Sequence, residues 1–208
     1  MKQITYRKLE KDDYENVKNL INNAFEFNQI TNEKLKNHAL TLYLHACLLN
    51  SSFSKVAVYK GEVIGVILGK SQKDRSKKFK LKERLIIHNE LIKINIIKKE
   101  NRELLNYFNA IDKVYNKLMA KRKRTFDGSI ELFIVSAKYR GIGLGKTLLK
   151  KIYDYFLSFD NKSIYLYTDT NCNYKFYDSQ NFNCIGAKDI RLSHRCNKDT
   201  IFLYKIDL

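Results

Sequence analysis

The sequence predicts an α/β fold, a sheet flanked by helices, organised as a single domain over residues 1–208. Three observations carry that reading. Apolar residues recur at helical spacing in some stretches and run or alternate as strands in others. The dipeptide Lys60–Gly61 joins two apolar runs as a hairpin signal. Finally, Ile130–Val135, the turn RGIGLG, a helical stretch and Ile164–Thr168 follow one another as strand, glycine turn, helix and strand.

The elements can be justified in order. ITYRKLEKDD alternates loosely and reads as a strand running into an acidic helix start. Tyr14, Val17, Leu20, Ile21, Ala24 and Phe25 then keep helical spacing, and Leu35, Ala39, Leu42, Ala46 and Leu49 do so over residues 32–49. Lys55–Tyr59 and Glu62–Gly69 are the two strands of the hairpin. Residues 70–124 break this rhythm. A polar linker, KSQKDRSKK, leads into two helical patterns, the second marked by Leu104, Phe108, Ile111, Tyr115 and Leu118 along one stripe. The basic run KRKR closes the segment at 121–124, where cations near a helix C-terminus favour its dipole. The segment therefore reads as a basic helical insertion at about 70–124, between the third and fourth strands. After the glycine turn, a helix from about 144 to 158 buries Leu144, Leu148, Ile152, Tyr155, Phe156 and Phe159. A short helix is expected over 171–180, and strands over 184–190 and 200–206.

Composition sets the outer bounds. A chain of 208 residues with 44% hydrophobic and 29% charged residues can bury a core and is not a disordered polymer. No apolar run reaches the ~18 residues of a membrane span, and no signal peptide is read at the N-terminus. The four cysteines, Cys47, Cys172, Cys184 and Cys196, form no CxxC pair, so no metal site is expected and a reduced, cytoplasmic protein is. The net charge is +17, and residues 70–124 alone hold 18 basic and 6 acidic side chains. Such an excess suits nucleic acid, an anionic cofactor or an acidic partner, or simply a solvated lysine-rich face.

The turn Arg140-Gly141-Ile142-Gly143-Leu144-Gly145-Lys146-Thr147 carries the chemistry. It follows a strand and opens a helix, where backbone N–H groups lack partners and the dipole favours an anion. A phosphate-binding GxxxxGK[ST] loop matches only at Gly145-Lys146-Thr147, because Arg140 stands where its first glycine belongs. A dinucleotide GxGxxG fingerprint fails at Lys146.

Arg140-x-x-Gly143-x-Gly145 resembles the [Gln/Arg]-x-x-Gly-x-[Gly/Ala] segment of the GNAT family of N-acetyltransferases. NYKFYDSQNF, about 35 residues later, resembles that family's "FY…GF" helix and following strand. The resemblance implies a mixed, mostly antiparallel sheet whose parallel fourth and fifth strands splay apart to admit acetyl-CoA. It implies that the amides from Arg140 to Gly145, including Gly141 and Gly143, hold the pyrophosphate, with Lys146 and Thr147 close by. Phe133 and Val135 match the strand whose backbone pairs with the pantetheine arm; the family's asparagine seven residues before the tyrosine would be position 170, which is Thr170 here, and Asn171 or Asn173 stands in for it. Tyr177 matches the proton donor to the departing sulfur. The chain departs from the family at Ala137 and Asn181, where proline and glycine are common. Asn181 can still adopt the left-handed turn.

The base is open between Glu131, Asp169 and water. Strand alternation places Glu131 on the same face as Phe133 and Val135. Cys172 reads as a bystander. The expected activity is acetyl transfer from acetyl-CoA to an amine by direct attack in a ternary complex, with no metal and with the amine unnamed. The alternatives are a GNAT-fold protein associated with nucleic acid or the ribosome, and a non-catalytic acyl-CoA sensor. No stacked-aromatic RNA motif is present, so no nucleic-acid partner is expected; without a long apolar run no membrane partner is expected either, and a homodimer is one option for assembly. The insertion is expected to shape the acceptor pocket, mediate dimerisation or bind something acidic.

Overall fold

In the computed structural model the described residues are 4–25, 27–75, 80–96, 100–120, 122, 125–190 and 199–208. Residues 76–79 of the linker, Lys121, Lys123 and Arg124 of the basic run, the side chain of Leu104, and Cys196 lie outside them. Strands β1 (Thr5–Arg7), β2 (Phe53–Tyr59), β3 (Glu62–Ser71), β4 (Gly128–Val135), β5 (Ser163–Asp169), β6 (Asn183–Ile190) and β7 (Asp199–Asp207) form one sheet. Their spatial order is β1-β2-β3-β4-β5-β7-β6. Within it β4 and β5 run parallel, and the other neighbours are antiparallel.

Among the described residues, six α-helices dress this sheet: α1 (Tyr14–Ala24), α2 (Glu33–Leu49), α3 (Leu81–Ile96), α4 (Glu100–Met119), α5 (Leu144–Ser158) and α6 (Lys175–Asp178). Alternation along the strands sorts the core into two faces. On one face, Val56, Val66, Leu68, Leu132 and Ile134 meet Val17, Ile21, Ala39 and Leu44 of α1 and α2. Farther along that face, Ile201 and Leu203 meet Val114 and Leu118 of α4. On the other face, Ile64, Ile67, Ile130, Ile164 and Leu166 pack under Leu148, Ile152 and Phe156 of α5. Glycines admit α5 closely: a Cβ on Gly69 would stand 2.5 Å from Ile152 Cδ1 and 2.8 Å from the Ser129 carbonyl oxygen.

Local chemistry explains the boundaries. The hairpin turn holds Lys60 at φ 52° and Gly61 at φ 81°, the paired left-handed conformation that suits strand twist. Asn32 caps α2, its Oδ1 accepting the Leu35 N–H at 3.1 Å. Lys80 closes the other end of that helix, donating to the carbonyls of Leu48 (2.7 Å), Leu49 (2.8 Å) and Ser51. Asn181 sits at φ 62° after α6, as a left-handed asparagine should.

The expected helix over 171–180 is shorter than its pattern suggested, with α6 only Lys175–Asp178. The Asp169 side chain accepts the amides of Asn171 (2.8 Å) and Cys172 (3.1 Å), so a turn occupies the residues that would have begun a longer helix.

Candidate active site

The site begins where β4 and β5 part. They pair only at Gly128↔Ile164, Ser129↔Tyr165 and Ile130↔Leu166. Beyond that point β4 keeps its bonds to β3, while Tyr167, Thr168 and Asp169 stay on β7. The edge of β4 that faces β5 is therefore freed along Phe133 and Val135. An unpaired strand edge of this kind suits an extended arm of amides.

A bulge lies at the fork. Leu68 faces Leu132 but Gly69 faces Ile130, so Glu131 is an extra residue on β4. This corrects the expectation for Glu131. Strict alternation puts it with Phe133 and Val135 on the α5 face, but the bulge turns it to the opposite face. There its carboxylate accepts from Ser129 Oγ and lies beside Tyr165 and Tyr167, whose rings pack toward α4. The Glu131 carbonyl, displaced from the regular ladder, accepts a thiol contact from Cys47 at 3.7 Å. Burial pushes the Glu131 carboxyl above the ordinary glutamate value, with the Ser129 hydrogen bond and the charges of Lys70 and Lys80 opposing.

Phe133 remains on the α5 face and meets the rings of Phe176 and Tyr177, at centroid distances of 5.8 and 6.4 Å. Tyr177 is also in ring contact with Phe182 at 5.6 Å and Tyr204 at 5.9 Å. Burial raises its phenol above the ordinary tyrosine value, so the proton stays on at neutral pH. Tyr177 and Glu131 thus flank the fork from opposite faces of the sheet. Asp169 ends β5 with its carboxylate already engaged by two amides and, on balance, raised by burial. Burial also pushes the Cys172 thiol up to about 12, which keeps it protonated and poorly nucleophilic.

The glycine turn leads from the end of β4 into α5. Gly141 and Gly143 hold φ of 81° and 84°, and a Cβ on either would meet nothing within 4 Å. These glycines are needed for backbone conformation and face open space. Gly145 is needed for room, since its Cβ would stand 3.1 Å from the Phe176 ring. At the start of α5 the Thr147 N–H donates to the Gly143 carbonyl at 3.0 Å. The amides of Leu144, Gly145 and Lys146 precede that bond and are the helix's open donors. Arg140 and Lys146 are exposed beside them, and Thr147 Oγ1 donates back to the Gly143 carbonyl at 3.2 Å. The fit to a pyrophosphate thus rests on open amides and two left-handed glycines. Asn173 is exposed just before α6, where its carbonyl accepts the Phe176 N–H at 3.1 Å.

The other side of the fork holds residues that motif reading missed. Tyr43 and Cys47 of α2 and Tyr115 of α4 lie within electrostatic reach of one another and of Cys172. Tyr115 stacks on Tyr167 with centroids 4.0 Å apart, and the Tyr167 hydroxyl donates to the Tyr115 carbonyl at 3.0 Å. A cavity of about 400 Å³ opens between α4 and the sheet, lined by Gln72, Asp112, Asn116 and the three tyrosines 115, 165 and 167. Tyr115 belonged to the apolar stripe read from the sequence, but nothing local to that stripe signals a cavity. Among the described residues, no group of three His, Cys, Asp or Glu side chains is placed to hold a metal ion. No helix there is long and apolar enough to cross a membrane.

Comparison with known proteins agrees with this architecture. Arylalkylamine N-acetyltransferase 2 from Aedes aegypti is similar at 17% identity and a TM-score of 0.60, over 99% of each chain. PH1933 from Pyrococcus horikoshii OT3 is similar at 17% identity and 0.58, over 99% of this chain and 100% of that one. An N-acetyltransferase from Staphylococcus aureus Mu50 is similar at 14% identity and 0.55, over 99% and 98%. These likenesses show the fold. No curated protein matches the sequence. The profile of the acetyltransferase (GNAT) family matches residues 14–182, a span that takes in the fork, the glycine turn and Tyr177. The chain belongs to the acetyltransferase (GNAT) family, whose activity is N-acetyl transfer.

Proposed function

We propose that the chain moves an acetyl group from acetyl-CoA to a small amine by direct attack in a ternary complex. The observation that carries this reading is the fork, with a freed β4 edge on one side and the open amides of α5 at its mouth. When bound, acetyl-CoA supplies an activated acetyl thioester. The open amides of Leu144 to Lys146 bind the pyrophosphate, with Arg140 and Lys146 adding charge and Gly141 and Gly143 shaping the turn. Thr147 braces the turn, Asn173 borders the fork, and the β4 backbone at Phe133 and Val135 orients the arm. Tyr177 holds a proton for the departing sulfur on the α5 face.

The bulge supports a division of labour. In direct attack the incoming amine and the departing sulfur occupy different positions about the reacting carbon. A base for the amine and a donor to sulfur then do not compete for one place, and Glu131 and Tyr177 lie on opposite faces. An amine arriving through the α4-side cavity meets Asp112 and tyrosine faces before Glu131 takes its proton. Asp169 serves as a turn cap in this reading.

A thiol-release assay with acetyl-CoA against a panel of amines tests the proposal, alongside calorimetry with coenzyme A. Heat on binding coenzyme A and thiol release with at least one amine are expected. Absence of any binding heat overturns the reading at the cofactor. Binding without turnover on any amine overturns the enzymatic part and leaves a sensor of the acyl carrier.

A further inference from the structure

Helix α3 is built inside out. Its carboxylates point inward: Glu83 pairs with His45, and Glu90 with His38 at 2.6 Å, both histidines on α2. Ile94 is buried beside them in a small cluster with Leu35 and Leu42. The outward face carries Leu81 (48% exposed), Leu85 (59%), Ile92 (47%) and Ile96 (71%). Steps of 4, 7 and 4 residues set these four side chains along one stripe. Among the described residues they are four of the six exposed large hydrophobics, aligned as two pairs with the exposed His88 between them on the same face. From Leu81 to Ile96 the stripe runs about 22 Å at 1.5 Å per residue.

Charge narrows what covers it. Lys82 and Arg84 flank the stripe and are exposed. The Lys82 amine stands against that of Lys11, and this crowding of like charges holds it below the ordinary lysine value. Both acids of α3 are turned inward, so its outer half offers no carboxylate. Two copies docked through this face would bring basic flanks together with nothing on α3 to pair them, within segments of net charge +12. A protein partner would have to bring both a groove for this convex helix and carboxylates for its basic flanks. A bilayer with anionic lipid meets both needs, because apolar side chains sink to the headgroup boundary while flanking cations meet lipid phosphates.

We propose that α3 is an interfacial helix that seats the protein on an anionic lipid surface through Leu81, Leu85, Ile92 and Ile96, with Lys82 and Arg84 on the phosphates. This departs from the sequence-level expectation of no membrane partner, and it is independent of the catalytic reading. Flotation of the full chain with two kinds of vesicle tests it: phosphatidylcholine alone, and phosphatidylcholine with phosphatidylglycerol at three to one. Binding to the mixed vesicles, weakened by salt, and little binding to phosphatidylcholine alone are expected.

The double variant Leu85→Ser/Ile92→Ser should lower the partition coefficient at least ~10-fold with an unchanged melting temperature. Lys82→Gln/Arg84→Gln should remove the preference for the anionic lipid. Three results would each overturn the proposal. One is no flotation with either vesicle. Another is flotation that the double serine variant does not change. The third is a dimer in solution that this variant converts to monomer, since that result gives the stripe to a second copy.

Discussion

Replacing Tyr177 with phenylalanine removes one oxygen and keeps the ring. The ring is held by Phe133, Phe182 and Tyr204 at centroid distances of 5.6 to 6.4 Å, and all these contacts survive the change. Among the described residues its hydroxyl has no hydrogen-bond partner, so none is orphaned. The expected change in stability is therefore under ~0.5 kcal/mol, the range of substitutions that break no network. The expected change in rate is far larger. Loss of a positioned proton donor lowers kcat by ~10²–10⁴, or about 3–5 kcal/mol of barrier at 1.36 kcal/mol per tenfold. The assay is steady-state thiol release, read beside a thermal melt and coenzyme A calorimetry on the same preparation. A variant that melts with the parent, binds coenzyme A equally and turns over at the parental rate would refute the donor role.

The bulged carboxylate gives a pH prediction of defined sign. Its acid is raised by burial, so the rate should climb with pH through a value above the ordinary glutamate range, and Glu131→Gln should lose that limb along with ~10²–10⁴ of kcat. A raised carboxyl contributes stability that is present below its unfolded value and lost as pH rises through the folded one, so Glu131→Gln should melt no lower than the parent at neutral pH. Gly145→Val drives a branched side chain into the Phe176 ring, 3.1 Å from where its Cβ would sit, and should raise KM for acetyl-CoA ~10-fold or more while an amine-independent fold probe stays native. Gly69→Ala sets a methyl 2.5 Å from Ile152 Cδ1 and 2.8 Å from a backbone oxygen and should cost about 1–3 kcal/mol, read as a lower urea midpoint.

Much of this architecture was legible in the residues because the signals were local. The Lys60–Gly61 turn and the α5 periodicity each depend on a few neighbours in sequence. The glycine turn was legible for the same reason, since open amides and left-handed glycines belong to one short stretch. The face of Glu131 was not. Residues 131, 133 and 135 keep an unbroken period of two, and the extra residue shows only when β4 is laid against Gly69 of a distant strand. The course of α3 was equally hidden. A helix with apolar residues on both faces has no amphipathic period, and its inward acids make sense only once His38 and His45 of α2 are opposite them. The cavity beside Tyr167 likewise needs α4 folded back over β5, which no nearby residue encodes.

The one-residue irregularity in β4 has a bearing on traffic. Under the proposed function it gives the two reactants separate doorways, the nucleotide carrier by way of the helix that follows the glycines and the amine from beneath the helical insertion. Neither must leave for the other to be exchanged. Turnover is then free of a sterically imposed order of departure, and modifications to the insertion can retune which amines enter while leaving the carrier's berth untouched.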